Sequence, residues 1–229
     1  MTEWLGYSLA DFVPVSHITY VRLFERYDGR HWPAVLFGVA VGFSALWLLL
    51  RRSNRATGVV LAACGCCWIW IAWAFHWQSY APLNWAAVYF AAAFAIQGVL
   101  LIAFGLGTAR QRLRVGSDWA AWFGYGLVAI ALIAIPLLAL SIGGRTWPGL
   151  ELFGSAPDPT AIATLGLAAA ARQRFAWLLV VIPACWCLVS TATLVVIADP
   201  LWPLPLVSTL AGILIMALRL PGQRNDGAV

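Results

Sequence analysis

An all-α polytopic membrane helix bundle is the fold class this sequence predicts, and three observations carry the prediction. Of its 229 residues, 62% are hydrophobic and only 10% charged, where soluble domains carry about a quarter charged. Six apolar runs reach the roughly 18 residues that cross a hydrocarbon core as a helix. Arginines cluster after alternate runs, as in a chain that threads back and forth through a bilayer. The reading is a single membrane domain over residues 1–229 with seven transmembrane helices, N-terminus outside and C-terminus inside, preceded by an N-terminal interfacial helix.

Residues 1–31 form the expected outer-face interfacial segment. Glu3 and Asp11 stand before any apolar run, with neither a basic stretch nor a small-residue cleavage site, so no removable leader is expected. Ser16 is a helix-start residue, and Ile18, Val21 and Phe24 recur at three-residue spacing, which suits a helix that lies on the membrane or caps the bundle. Spanning helices are expected at about 33–50, 57–77, 84–107, 119–141, 158–171, 175–198 and 201–218. The fifth is short, because its apolar part, Thr160 to Ala171, reaches only about 18 Å. Extending it back into the Asp158-Pro159 turn and letting Arg172 and Arg174 snorkel recovers part of the missing length.

The chain has no lysine, so arginine alone sets the orientation. Arg51, Arg52 and Arg55 follow the first spanning helix, and Arg110, Arg112 and Arg114 follow the third; short loops this basic stay in the cytoplasm. If the fifth segment spans, Arg172, Arg174, Arg219 and Arg224 join them, giving ten arginines inside and four outside. A re-entrant hairpin would give six against eight, so spanning satisfies the charge rule better. Seven of the nine acidic residues (Glu3, Asp11, Glu25, Asp28, Glu151, Asp158, Asp199) then fall outside, leaving Asp118 and Asp226 inside. The net charge of +5 is a topology signature, fitted to anionic lipid rather than to nucleic acid. Trp32, Trp77, Trp85, Trp147 and Trp202 sit at expected outer ends, and Trp119, Trp122 and Trp177 near inner ones. Ala34, Gly38 and Gly42, four residues apart, allow another helix to approach closely.

Several phrases, DFVPVSHITYVRLFERYD followed by WP, AFHWQSYAPLNWAA, ELFGSAPDPTAIATLG and WCLVSTATL, resemble an uncharacterised family of bacterial inner-membrane proteins known as a domain of unknown function. The resemblance covers nearly the whole chain. It implies a multi-pass protein of the bacterial inner (plasma) membrane, and the transporter permease label of some members inclines the reading toward a permease. No activity, substrate or catalytic residue comes with it.

The polar residues of those phrases gather on the expected outer side. His76, Gln78, Tyr80 and Asn84 occupy the turn between the second and third spanning helices, and Glu151, Asp158, Thr160 and Thr164 the loop and first turns of the fifth. These eight are the candidate solute-binding set, a vestibule for a small solute. Within it His76, Glu151 and Asp158 are the candidate ligands of a divalent metal, since imidazole with carboxylates is a common set, although no His-x-x-x-His spacing supports it. No other cofactor is predicted. Asp158 has a plainer role as well: Asp-Pro-Thr reads as a helix N-cap with proline at the first helical position, and Asp199-Pro200 opens the last helix in the same way. A fifth helix that begins below the surface would instead aim its positive end into a cavity.

Cys64, Cys66, Cys67, Cys185 and Cys187 fall within the bilayer, as small buried hydrophobes or as a thiolate site for a soft metal. Gln97, Ser190, Thr191 and Thr193 line a polar path or bond between and along helices. Without lysine there is no Schiff base and no phosphate-loop lysine, and the sequence holds no Gly-x-Ser-x-Gly elbow, His-Glu-x-x-His or dinucleotide fingerprint. Catalysis is therefore not the expected role. Three functions remain: permease-like binding of a small solute, a non-catalytic subunit or assembly factor of a membrane complex, and a membrane-embedded metalloenzyme. The expected partners are the lipid bilayer, a small solute, and a membrane-complex partner or a second copy of the chain; nucleic acid is not among them.

Overall fold

The computed structural model describes residues 13–51, 54–107, 116, 118–171 and 174–219, and the regular elements among them are helical. They are α1 (His17–Arg51), α2 (Asn54–Trp70, continuing as a π-helical stretch Ile71–Tyr80), α3 (Ala87–Leu106), α4 (Trp119–Ser141, with a π turn at Ile130–Ala134), α5 (Pro157–Ala170), α6 (Leu178–Val196) and α7 (Pro203–Arg219). Five of them, α1 to α4 and α6, are long and apolar enough to cross a membrane. Glu3, Asp11, Arg52, Arg110, Arg112, Arg114, Arg172, Arg224 and Asp226, which entered the charge argument, lie outside the described residues.

Ser16 starts α1, its Oγ accepting the Thr19 N–H at 3.3 Å. The expected separation of an interfacial helix from a spanning one does not occur. Instead, one helix of 35 residues runs through, bent at His31 (φ −120°, ψ 22°). Pro33 explains the bend, because its ring crowds the preceding turn and it has no N–H to give. The His31 ring donates from Nδ1 to the Tyr27 carbonyl at 3.1 Å, supplying a donor where the ladder is disturbed. Before the bend α1 turns Tyr20, Leu23, Phe24 and Tyr27 inward, while Ile18 is exposed. The buried stripe is thus rotated from the Ile18–Val21–Phe24 face read from the sequence, and this segment caps the bundle.

Glycines set the distance between α2 and α3. A Cβ on Gly65 would stand 2.6 Å from the Gly98 carbonyl oxygen, and one on Gly105 would stand 2.5 Å from that of Gly58. The pairs are spaced seven residues apart, about two turns, on each of the antiparallel helices, so the backbones touch along a stripe where side chains would wedge them apart. Farther along α2, the ten-residue π-helical stretch places Ser79 Oγ where it donates to the Ala74 carbonyl at 2.8 Å. A π segment of this length is unusual and shifts the facing of every side chain beyond it.

Between α4 and α5 the chain turns into the bundle. Glu151 and Phe153 to Ala156 are buried. Phe153 reaches α1 at Gly42, where a Cβ would meet its ring at 2.7 Å, roughly 13 Å down the axis from Pro33. On Gly38 a Cβ would stand 2.8 Å from the Phe153 carbonyl oxygen and 2.9 Å from Gly154 Cα. The small residues of α1 therefore receive a loop at Gly38, and at Gly42 both that loop and Leu132 of α4, rather than only a helix. Gly154 has φ +80°, open to glycine at little cost. Because this loop occupies the upper part of the bundle, α5 starts inside it, and all of its 14 residues are buried among α4, α6 and α7. The α5 C-terminal end meets the start of α4, where the Ala170 carbonyl accepts the Gly116 N–H at 2.9 Å.

Candidate functional site

One end of the bundle, built from the start of α1, the α4–α5 loop and the α6–α7 turn, holds a buried ionic network around Arg145. Its guanidinium donates to Glu151 Oε1 at 2.6 Å, to Asp199 Oδ2, and to the Gly143 carbonyl at 2.8 Å, and it lies over the Tyr20 ring at 5.9 Å. His17 Nε2 stands 3.2 Å from Asp199 Oδ2. Asp199 Oδ1 accepts the Leu201 N–H at 2.9 Å in a turn of its own and is not the expected cap of the last helix, because α7 begins later, at Pro203. Burial pushes the Glu151 carboxyl above its ordinary value, and Arg145 pulls it back without cancelling that effect. Burial also works against the Arg145 charge, but Glu151 and Asp199 outweigh it and hold the guanidinium above its ordinary value.

Asp158 belongs to the same region without touching Arg145 directly. It is not the N-cap of α5: Ala156 takes that position, Pro157 is first in the helix, and the Asp158 side chain reaches across to α6. There Oδ1 accepts from Trp186 Nε1 at 2.8 Å and Oδ2 from Ser190 Oγ at 2.5 Å. The positive end of α5 adds a favourable field to a carboxylate held by neutral donors. A crevice of about 10 Å³ between Arg145, Glu151, Asp158 and Leu194 has room for one water. Below it Thr160 Oγ1 accepts the Gly154 N–H at 2.8 Å and donates to the Ala156 carbonyl at 2.7 Å. Thr164 Oγ1 accepts from Trp68 Nε1 at 2.9 Å and donates to the Thr160 carbonyl at 2.8 Å.

The remaining predicted residues separate into two environments. His76 is fully buried among rings, with Phe94 at 4.4 Å and Trp186 at 4.9 Å between centroids, and neither of its nitrogens has a hydrogen-bond partner. Asn84 donates to Tyr80 Oη at 3.1 Å, and both residues are buried. Gln78 is exposed. Thus Glu151 and Asp158 border one crevice while Thr160 and Thr164 follow along α5, each buried and hydrogen-bonded to partners of its own. Among the described residues no group of three or more His, Cys, Asp or Glu side chains is placed to hold a metal ion. All five cysteines are free. Gln97 donates to the Leu179 carbonyl at 3.2 Å, while Thr191 and Thr193 bond carbonyls four residues back in α6.

Gln78 opens onto a groove of about 360 Å³ between α1 and the α2–α3 turn, and its partners there were not singled out by sequence reasoning. Thr19, Arg22, Arg26 and Arg30 form one wall, with Gln78 and Ser79 on the other. The arginines are four apart, so they stack along one face of α1. All three are exposed, and none is ion-paired among the described residues. Their four-residue spacing along one helix was the signal available in the sequence. Arg145 offered less: Glu151 is six residues away but in an irregular loop with no periodicity to pair them, and Asp199 lies 54 residues away.

A family model described as a family of unknown function (DUF6064) matches residues 18–225 of the chain. No curated protein and no solved structure matches it.

Proposed function

The chain belongs to this family of unknown function, and on that footing we propose that it is a multi-pass protein of the bacterial inner membrane that binds a small anionic solute, permease-like, in the groove between α1 and the α2–α3 turn. The observation that supports this reading is the row Arg22, Arg26 and Arg30 facing Gln78 and Ser79 across a cavity of about 360 Å³. Ligand pockets have volumes of roughly 300 Å³ and upward, and guanidinium groups match the planar, two-oxygen edge of a carboxylate or phosphate. Among the described residues no carboxylate lines the groove, so none of them competes for these charges. The orientation with this end outside accounts for every arginine left there: Arg145 is committed to the buried network, and the other three make the row.

The interior set then has a supporting role. Asp158 tied to Trp186 and Ser190, and Thr164 tied to Trp68, fix α5 against α2 and α6 beneath the groove. In nonionic detergent, phosphate, succinate or citrate should raise the melting temperature of the purified protein above that in chloride of equal ionic strength. The anion that binds should also be taken up by proteoliposomes. Replacing the row as R22Q/R26Q/R30Q should remove both effects while leaving the unliganded melting temperature within a few degrees. A wild-type protein indifferent to all these anions, or a triple variant that still responds, refutes the reading.

A further inference from the structure

The other side of α1 faces a second cleft of opposite character. Asp28 lies two residues beyond Arg26, about 200° round the helix, and is 8% exposed. Its Oδ1 has no hydrogen-bond partner, and no arginine or histidine pairs with it among the described residues. A buried carboxylate without a counter-charge is costly. This one borders a cavity of about 330 Å³ between α1 and the segment from Trp147 to Leu152, and among the described residues it is the sole ionisable one lining it. Val35, Leu36 and Leu150 give apolar walls, and the indoles of Trp32 and Trp147, 62% and 78% exposed, stand at its border.

We propose that this cleft binds a small alkylammonium ion, primary or quaternary, with the charged nitrogen at Asp28 and the alkyl groups against Trp32 and Trp147. Each alternative ligand class meets a physical objection. An anion would be repelled, and a neutral apolar molecule would leave Asp28 unpaired. A hard metal ion needs several oxygen ligands, where the cleft supplies one carboxylate among hydrocarbon walls. An organic cation satisfies the carboxylate and gains from the ring faces as well. The inference is independent of the anion groove, since the two cavities share no lining residue.

Choline and its neutral isostere 3,3-dimethyl-1-butanol separate charge from shape, and both can be titrated calorimetrically into the full-length protein in nonionic detergent. Choline should bind at least tenfold more tightly than the isostere. Asp28→Asn, which keeps the side-chain shape, should abolish that preference and leave the unliganded melting temperature within a few degrees of the wild type. Trp147→Leu, at an exposed position, should weaken choline several-fold and leave the unliganded melting temperature unchanged. Equal affinity for the two probes, no choline binding to the wild type, or unchanged choline affinity in either variant overturns the proposal. Should Asp28→Asn fail to fold, Trp147→Leu decides alone. Binding of choline only as the headgroup of added phosphatidylcholine, with no response to free choline, also counts against it.

Discussion

Arg145 ties together segments that are distant in sequence. Replacing it by methionine would leave Glu151 and Asp199 buried without their cation, a loss of about 3–5 kcal/mol by the behaviour of broken buried pairs. We expect Arg145→Met to show a large drop in melting temperature in detergent, and Arg145→Lys an intermediate one, because an ammonium cannot fork to both carboxylates. Adding Glu151→Gln and Asp199→Asn to the methionine variant should restore much of the loss. If Arg145→Met alone melts like the wild type, the network contributes nothing to the fold. At this scale the sequence was partly legible. Glu151 and Asp158 stand out by type in an apolar chain, and both sit in the buried polar region. His76 stood out as well, yet its neighbours are aromatic and its nitrogens unbonded, since side-chain type predicts chemistry only when the partners are known. The arginine row is legible only as spacing, because a charge count assigns each arginine to a side of the membrane and says nothing of its neighbours.

Among the elements, the α4–α5 loop departs furthest from what periodicity can reveal. A run such as ELFGSAPDPT reads as surface turn by its glycine and prolines, but most of it is buried, with Phe153 and Gly154 against α1. Gly154→Ala should therefore destabilise by at least about 1 kcal/mol, since φ +80° disfavours a side chain and the new Cβ would stand 2.5 Å from Gly38 Cα. Gly126→Ala is the control: nothing lies within 4 Å of its Cβ position, and helix propensity predicts a gain of up to about 1 kcal/mol. Chemical unfolding in mixed micelles measures both, and an alanine at 154 as stable as the wild type would contradict the packing described. The apolar helices were legible because their signal is long and redundant. The unbroken course of α1 was not, because Pro33 and the change from mixed to apolar composition both read as a boundary.

For the molecule as a whole, the arrangement of charges predicts which end faces the cytoplasm. Alkaline phosphatase fused after Gly144 should be active and one fused after Leu106 inactive, with fluorescent-protein fusions giving the reverse; the opposite pattern inverts the orientation. A fusion after Ala171 tests α5 separately, being inactive if this helix carries the chain across and active if it turns back. The result matters for biosynthesis, because α5 is enclosed by protein on every side. It leaves the ribosome before α6 and α7, the two helices that complete its enclosure. For that interval a short, weakly anchored segment carrying Asp158 has neither its Trp186 nor its Ser190 donor. Its residence in the membrane is then decided by the last quarter of the chain, so a premature stop before Leu178 should release α5 into the aqueous phase and mark the truncated protein for proteolysis.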